Sequence, residues 1–169
     1  MTALSSIGLT ELNLVQNPVI GAYLIWQFAL GYQEGCKDAV PFPAAFLVLP
    51  MLLHRPTFDE VISTRKASGL SLFAAKFDKE REILMGIHGR TLQLRPLSLQ
   101  SIGVATTSKL VRIDYEAAAI HGYPLDLLGV RKPTLPERLK GFVSAADKLG
   151  YWFSKLELPQ IASILRVDF

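Results

Sequence analysis

The chain has 169 residues, 50% of them hydrophobic and 20% charged, with a net charge of +3 at pH 7. That length suits one domain with a sizeable core, and the apolar content excludes an intrinsically disordered chain. A single cysteine, Cys36, excludes an internal disulfide and a thiolate metal cluster, and the basic residues never run longer than two, short of the clustered basic face that phosphate neutralisation needs.

Residues 1–16 read as an irregular lead-in, without the basic stretch and apolar run of a signal peptide. Residues 17–56 read as an apolar helical hairpin. Two apolar segments, 18–32 and 40–53, are joined by the polar link Gln33-Glu34-Gly35-Cys36-Lys37-Asp38, and between Leu12 and Leu53 all the charge sits on Glu34, Lys37 and Asp38. Asn17 is a good N-cap and Pro18 fits the first helical position. Apolar residues then lie nearly all round, which predicts a buried helix; Gly21, Ala22 and Ala29 would admit a close neighbour, and Gly31 and Gly35 mark the exit. Both segments are shorter than the roughly 20 apolar residues of a spanning helix. The second also carries Pro41, Pro43 and Pro50, and no Lys/Arg cluster flanks either, so the hairpin reads as core and not as membrane.

Thr57-Phe58-Asp59-Glu60 has the form of a capping box before a short helix reaching about residue 65. A further short helix carries Leu72, Phe73 and Phe77, a longer one spans 78–94 until Pro96 ends it, and Ser98 starts another over 99–107. Leu110, Val111, Ile113 and Tyr115 form the best strand run, with 117–121 as a return strand. Helix, turn, helix and two-stranded ribbon together predict a winged-helix-like unit over 70–121. Residues 122–133 read as a loop. Thr134-Leu135-Pro136-Glu137 reads as a second capping box, opening the clearest helix of the chain: Leu139, Phe142, Val143, Ala146, Leu149 and Phe153 recur at three- and four-residue steps, with Trp152 to one side and Lys148 away from the stripe. Pro159 opens a last short helix, and 165–169 alternates as a strand would. The expected fold class is mainly α (α+β): one compact helical domain over 1–169, with the winged-helix-like unit, a small β ribbon, and C-terminal helices with a short strand over 134–169.

Chemistry-bearing constellations are not found. His54, His88 and His121 have no zinc-motif spacing, Cys36 has no sequence-evident base, and phosphate-binding glycine loops and nucleophile elbows do not occur. The run Asp78-Lys79-Glu80-Arg81-Glu82 reads as a solvated helix start. Arg90, Arg95, Lys109 and Arg112 surround the winged-helix candidate as possible phosphate or partner contacts. Residues 99–107 contain no Arg or Lys, whereas a base-reading helix brings Arg, Asn or Gln to base edges. Protein binding is therefore the better expectation, with a DNA-binding regulator and a small membrane-associated protein as alternatives.

Several segments line up with a known family: Asn17-Pro18 before a helix ending in Trp26-Gln27-Phe28 and Gly31-Tyr32; Leu49-Pro50-Met51-Leu52-Leu53-His54-Arg55-Pro56; Gly89-Arg90; Leu110-Val111-Arg112-Ile113-Asp114; and Lys148-Leu149-Gly150-Tyr151-Trp152-Phe153. Over about residues 14–169 the chain resembles the middle component of bacterial three-component ABC systems, a group that includes the Lamassu-like anti-phage systems. It departs from the pattern at Tyr151, where a basic residue is expected. The resemblance implies a non-catalytic adaptor or regulatory subunit; the lone cysteine makes a reduced, cytoplasmic protein the simplest reading, and the residues give no reason to expect a cofactor or metal. Its implied partners are an SMC-like or Rad50-like ATPase and a separate effector, often a nuclease, with DNA reached only through the complex and no membrane contact.

Overall fold

The computed structural model describes residues 17–129, 131 and 134–169; the expected lead-in lies outside them. The central element is α1 (Pro18–Cys36). Its start follows from the sequence: Asn17 Oδ1 accepts from the Val19 N–H at 2.9 Å, and Pro18 stands at the first turn. Gly31 does not end it. The helix continues to Cys36 and stops where Lys37 turns left-handed (φ 63°) and donates its N–H to the Gln33 carbonyl. Leu24, Ile25, Trp26 and Phe28 are buried on successive sides, as an all-round apolar helix requires. Each such large side chain contributes about 1.5–3 kcal/mol by leaving water.

The second apolar segment is broken up by its prolines. It gives β1 (Val40–Pro41), then the short helices α2 (Phe42–Ala45) and α3 (Val48–Leu52). After it come α4 (Arg55–Ser63), a 3-10 turn (Lys66–Ser68) and α5 (Gly69–Ala75). The expected cap at Thr57 is corrected: α4 starts at Arg55 with His54 before it, and the buried Thr57 hydroxyl faces the His54 carbonyl at 2.9 Å.

The helix–turn–helix half of the expected winged unit is replaced by one helix, α6 (Arg81–Thr107), which runs through Pro96 without a break. A proline removes the bond to the carbonyl four residues back. Here Pro96 and Leu92 are both exposed, so water can serve the Leu92 carbonyl. The ribbon half is present as β2 (Val111–Asp114) and β3 (Ala119–Gly122), antiparallel, with Val111 opposite Gly122 and Ile113 opposite Ile120. The pair becomes a three-stranded sheet of order β1-β3-β2, because Val40 of the opening segment pairs with Ile120.

The expected loop over 122–133 holds α7 (Leu125–Leu128). The clear amphipathic helix is α8 (Glu137–Ser154), without a cap bond from the Thr134 position: Pro136 precedes it. The last helix, α9 (Leu158–Leu165), has Pro159 in its first turn and a capping box between Glu157 and Gln160. Instead of the expected tail strand, Arg166 turns left-handed and the Val167 N–H returns to the Ala162 carbonyl at 3.0 Å.

Helices α8 and α6 both pack on α1, and one core joins all three. The α1–α8 crossing is unusually close. A Cβ on Gly31 would lie 2.1 Å from the Asp147 carbonyl oxygen, and one on Gly150 would lie 2.0 Å from that of Phe28. Phe28 meets Phe153 edge-on at 5.4 Å, and Trp152, which the stripe left to one side, is buried with its Nε1 donating to the Lys66 carbonyl at 2.8 Å.

Candidate interaction surface

The four sequence candidates separate. Arg90 turns inward from α6, half-buried, with Nε donating to the Pro50 carbonyl at 3.4 Å; burial lowers its guanidinium below the usual arginine value. Arg95 is exposed farther along the same helix. At about 1.5 Å per residue, Arg90 lies nearly 30 Å from Lys109 along the helix axis. Lys109 and Arg112 are brought together in a cleft of about 570 Å³ beside β2.

Local chemistry builds this cleft. Helix α6 closes with Lys109 in the left-handed region (φ 60°), and the Leu110 N–H donates back to the Ala105 carbonyl at 2.9 Å. A cation at a helix C-terminus is favourable, and Lys37 and Arg166 close α1 and α9 in the same way. The tip of the ribbon is held by Asp114, whose carboxylate accepts from the main-chain N–H groups of Ala117 at 3.0 Å and Glu116 at 3.1 Å. Those bonds, Ala117's first, keep its carboxyl below the usual range.

Apolar side chains complete the surface, and sequence reasoning missed their role. Tyr115 is 84% exposed and Leu127 is 73% exposed, and both line the cleft with Ile113 and Tyr123. Tyr115 read as the end of a strand run and Leu127 as loop. Two adjacent leucines in a Pro/Gly-bounded stretch were the available signal.

Two other charged residues, Lys66 and Lys148, tie elements together. Lys66 bridges Glu34 and Asp147, each at 3.0 Å, and stands over the Tyr151 ring. Burial alone would lower its ammonium, but the bonds to the two carboxylates outweigh it and hold the group above the usual lysine value. Lys148 donates to the carbonyls of Val61, Ile62 and Thr64. The histidines do not converge, and among the described residues no group of three or more His, Cys, Asp or Glu side chains is placed to hold a metal ion. Among the same residues, no helix is long and apolar enough to cross a membrane.

A protein-family model described as ABC-three component (ABC-3C) system Middle Component 3 matches residues 5–169. The chain belongs to this family of middle components. Comparison with curated proteins and with solved structures gives no match. A middle component is one member of a multi-component system, so partner subunits are expected for this chain.

Proposed function

We propose that this middle component is a non-catalytic adaptor of an SMC-like ATPase complex in anti-phage defence, linking the ATPase to an effector subunit, in the cytoplasm. The observation that carries this reading is the cleft at the ribbon: Tyr115 and Leu127 stand exposed beside Lys109 and Arg112. Exposed aromatic and aliphatic anchors flanked by cations are the make-up of a protein-binding patch. Such a patch on a chain from a family of multi-subunit components is accounted for by a neighbouring subunit. A DNA-reading regulator draws less support, since residues 99–107 form the end of the unbroken α6 and carry no basic side chain. DNA contact in this reading comes through the assembled complex.

Co-expression of the tagged chain with the ATPase and effector subunits encoded beside it tests the proposal. A complex containing all three is expected on size-exclusion chromatography. Replacing Tyr115 and Leu127 together with serine should strip at least one partner while the thermal midpoint stays within about 2 °C, because exposed positions contribute little to folding. Elution of the tagged chain alone, with both partners present and folded, would overturn it.

A further inference from the structure

Helix α6 runs unbroken through Pro96, and that continuity gives its outer face a seven-residue repeat. Met85, Gly89, Leu92, Pro96, Leu99 and Gly103 follow one another at alternating steps of four and three residues. At about 100° per residue they fall in a band about 80° wide, opposite the buried Ile87, Ser101 and Ala105. The large side chains Met85, Leu92 and Leu99 are 61%, 50% and 49% exposed, and Gly89, Pro96 and Gly103 are exposed as well. None of the six is charged. A solvated helix face ordinarily carries charge, whereas an uncharged seam with three- and four-residue steps is the pattern of two helices packed side by side. Within the seam the bulk alternates. Met85, Leu92 and Leu99 are knobs. Gly89 and Gly103 have nothing within 4 Å of where a side chain would start, and Pro96 presents only its ring.

We propose that the chain forms a two-fold dimer in which α6 lies antiparallel on α6 of a second copy. With the axis at Leu94, Met85 stands opposite Gly103, Leu92 opposite Pro96 and Leu99 opposite Gly89. Every knob meets a bare position, in both directions, which is the self-complementarity that a two-fold interface requires. Leu94 is also the midpoint of α6, so the two helices overlap along their whole length. The glycines let the axes approach to about 8 Å, the lower end for helix pairs. At the Gly103 end, an open cleft of about 600 Å³ between Pro18 and Gln100, Val104 and Thr107 receives Met85 of the other copy, an unbranched side chain suited to an irregular gap. The Gln93 carboxamides flank the axis, where they reach the Leu92 carbonyls that Pro96 leaves open. On the opposite flank the exposed Arg95 stands beside its own copy, a repulsion that salt screens. Helix α6 has 27 residues and is about 40 Å long; a band about 15 Å wide along it buries roughly 600 Å² per copy, at the low end for a specific pair. The dimer is therefore reversible.

The dimer is independent of the adaptor reading, because it needs the chain alone. Sedimentation equilibrium on the full chain from about 1 to 300 µM tests it, and a monomer–dimer equilibrium with a dissociation constant on the order of 10 µM is expected. Leu92→Asp brings two like charges together beside the axis and should weaken association at least tenfold. Gly89→Leu separates pairing from folding. In the single chain the added side chain finds open space and a better helix former replaces glycine, so the thermal midpoint at about 1 µM should hold or rise. In the pair it collides with Leu99, and association should again fall at least tenfold. Arg95→Glu reads the helix direction: mixed with the native chain at low salt, it should pair about threefold more tightly than either chain pairs with itself. A monomer throughout the concentration range overturns the proposal. A dimer that Gly89→Leu leaves intact lies on another face and overturns it. An Arg95→Glu chain with no preference for the native one overturns the antiparallel register. If the chain is monomeric alone and Leu92→Asp abolishes binding of a partner subunit, the seam belongs to that subunit and the dimer is overturned.

Discussion

Lys148 shows how a charged residue beside the apolar stripe of α8 joins two elements. Its ammonium donates to the carbonyls of Val61 at 2.9 Å, Ile62 at 3.1 Å and Thr64 at 2.8 Å, which belong to the C-terminal end of α4 and the residue after it. Burial, and then the charge of Lys76, lower its pKa, yet these three acceptors satisfy the charged form. Lys148→Met keeps the stem and removes the donors; we expect a loss of about 2 kcal/mol in urea unfolding. His54 responds to pH. Burial, and then the nearby charge of Arg90, hold its imidazole below the ordinary 6.5. The unfolded chain therefore takes up this proton more readily than the folded chain. The resulting stability is complete above pH 6.5 and is lost as the pH falls below it toward the folded value. Unfolding free energies measured between pH 7 and 5 should decline less steeply for His54→Gln than for the native chain. Among the site residues, Lys109 and Arg112 were legible as basic side chains near a ribbon. Arg90 was equally visible but packs inward, and the standing of Tyr115 and Leu127 depends on what surrounds them in three dimensions, which local pattern does not encode.

At the level of elements, α1 and α8 are held main chain to main chain. Gly150→Ala would place a methyl group 2.0 Å from the Phe28 carbonyl oxygen and 2.8 Å from the Tyr32 nitrogen, neither of which can rotate aside. A loss of about 3 kcal/mol, at the upper end for overpacking, is expected from chemical denaturation. Gly103→Ala in α6 is the control: nothing lies within 4 Å of the added methyl, so it should gain up to about 1 kcal/mol from helix propensity. The elements that were legible had strong local signals. Asn17-Pro18 placed the start of α1, the three- and four-residue steps placed α8, and the β-branched run placed β2. Those that were misread depended on tertiary context. Pro96 is tolerated because the carbonyl it orphans is on the wet side of α6, and β1 is two residues long with no period to detect. The caps expected at Thr57 and Thr134 failed because a proline one residue into α4 and one before α8 set those starts.

For the molecule as a whole, the two tryptophans report on opposite attachments of one core. Trp26 Nε1 donates to the Tyr123 carbonyl beside the ribbon, and Trp152 Nε1 to the Lys66 carbonyl beside the 3-10 turn. Both are 1% exposed and belong to the same cluster. A single cooperative unit over the described residues is therefore expected. Fluorescence of Trp26→Phe and of Trp152→Phe, each followed alongside far-UV circular dichroism, should give coincident urea transitions within each variant; two separated transitions would mean two folding units. The paired glycines of α1 and α8 bear on descent as well as stability. A side chain acquired at Gly31 or Gly150 meets main chain, so no substitution opposite can make room for it. Lineages that keep this crossing must keep both glycines, and a lineage that lost either would have to separate the two helices and rebuild the core between them.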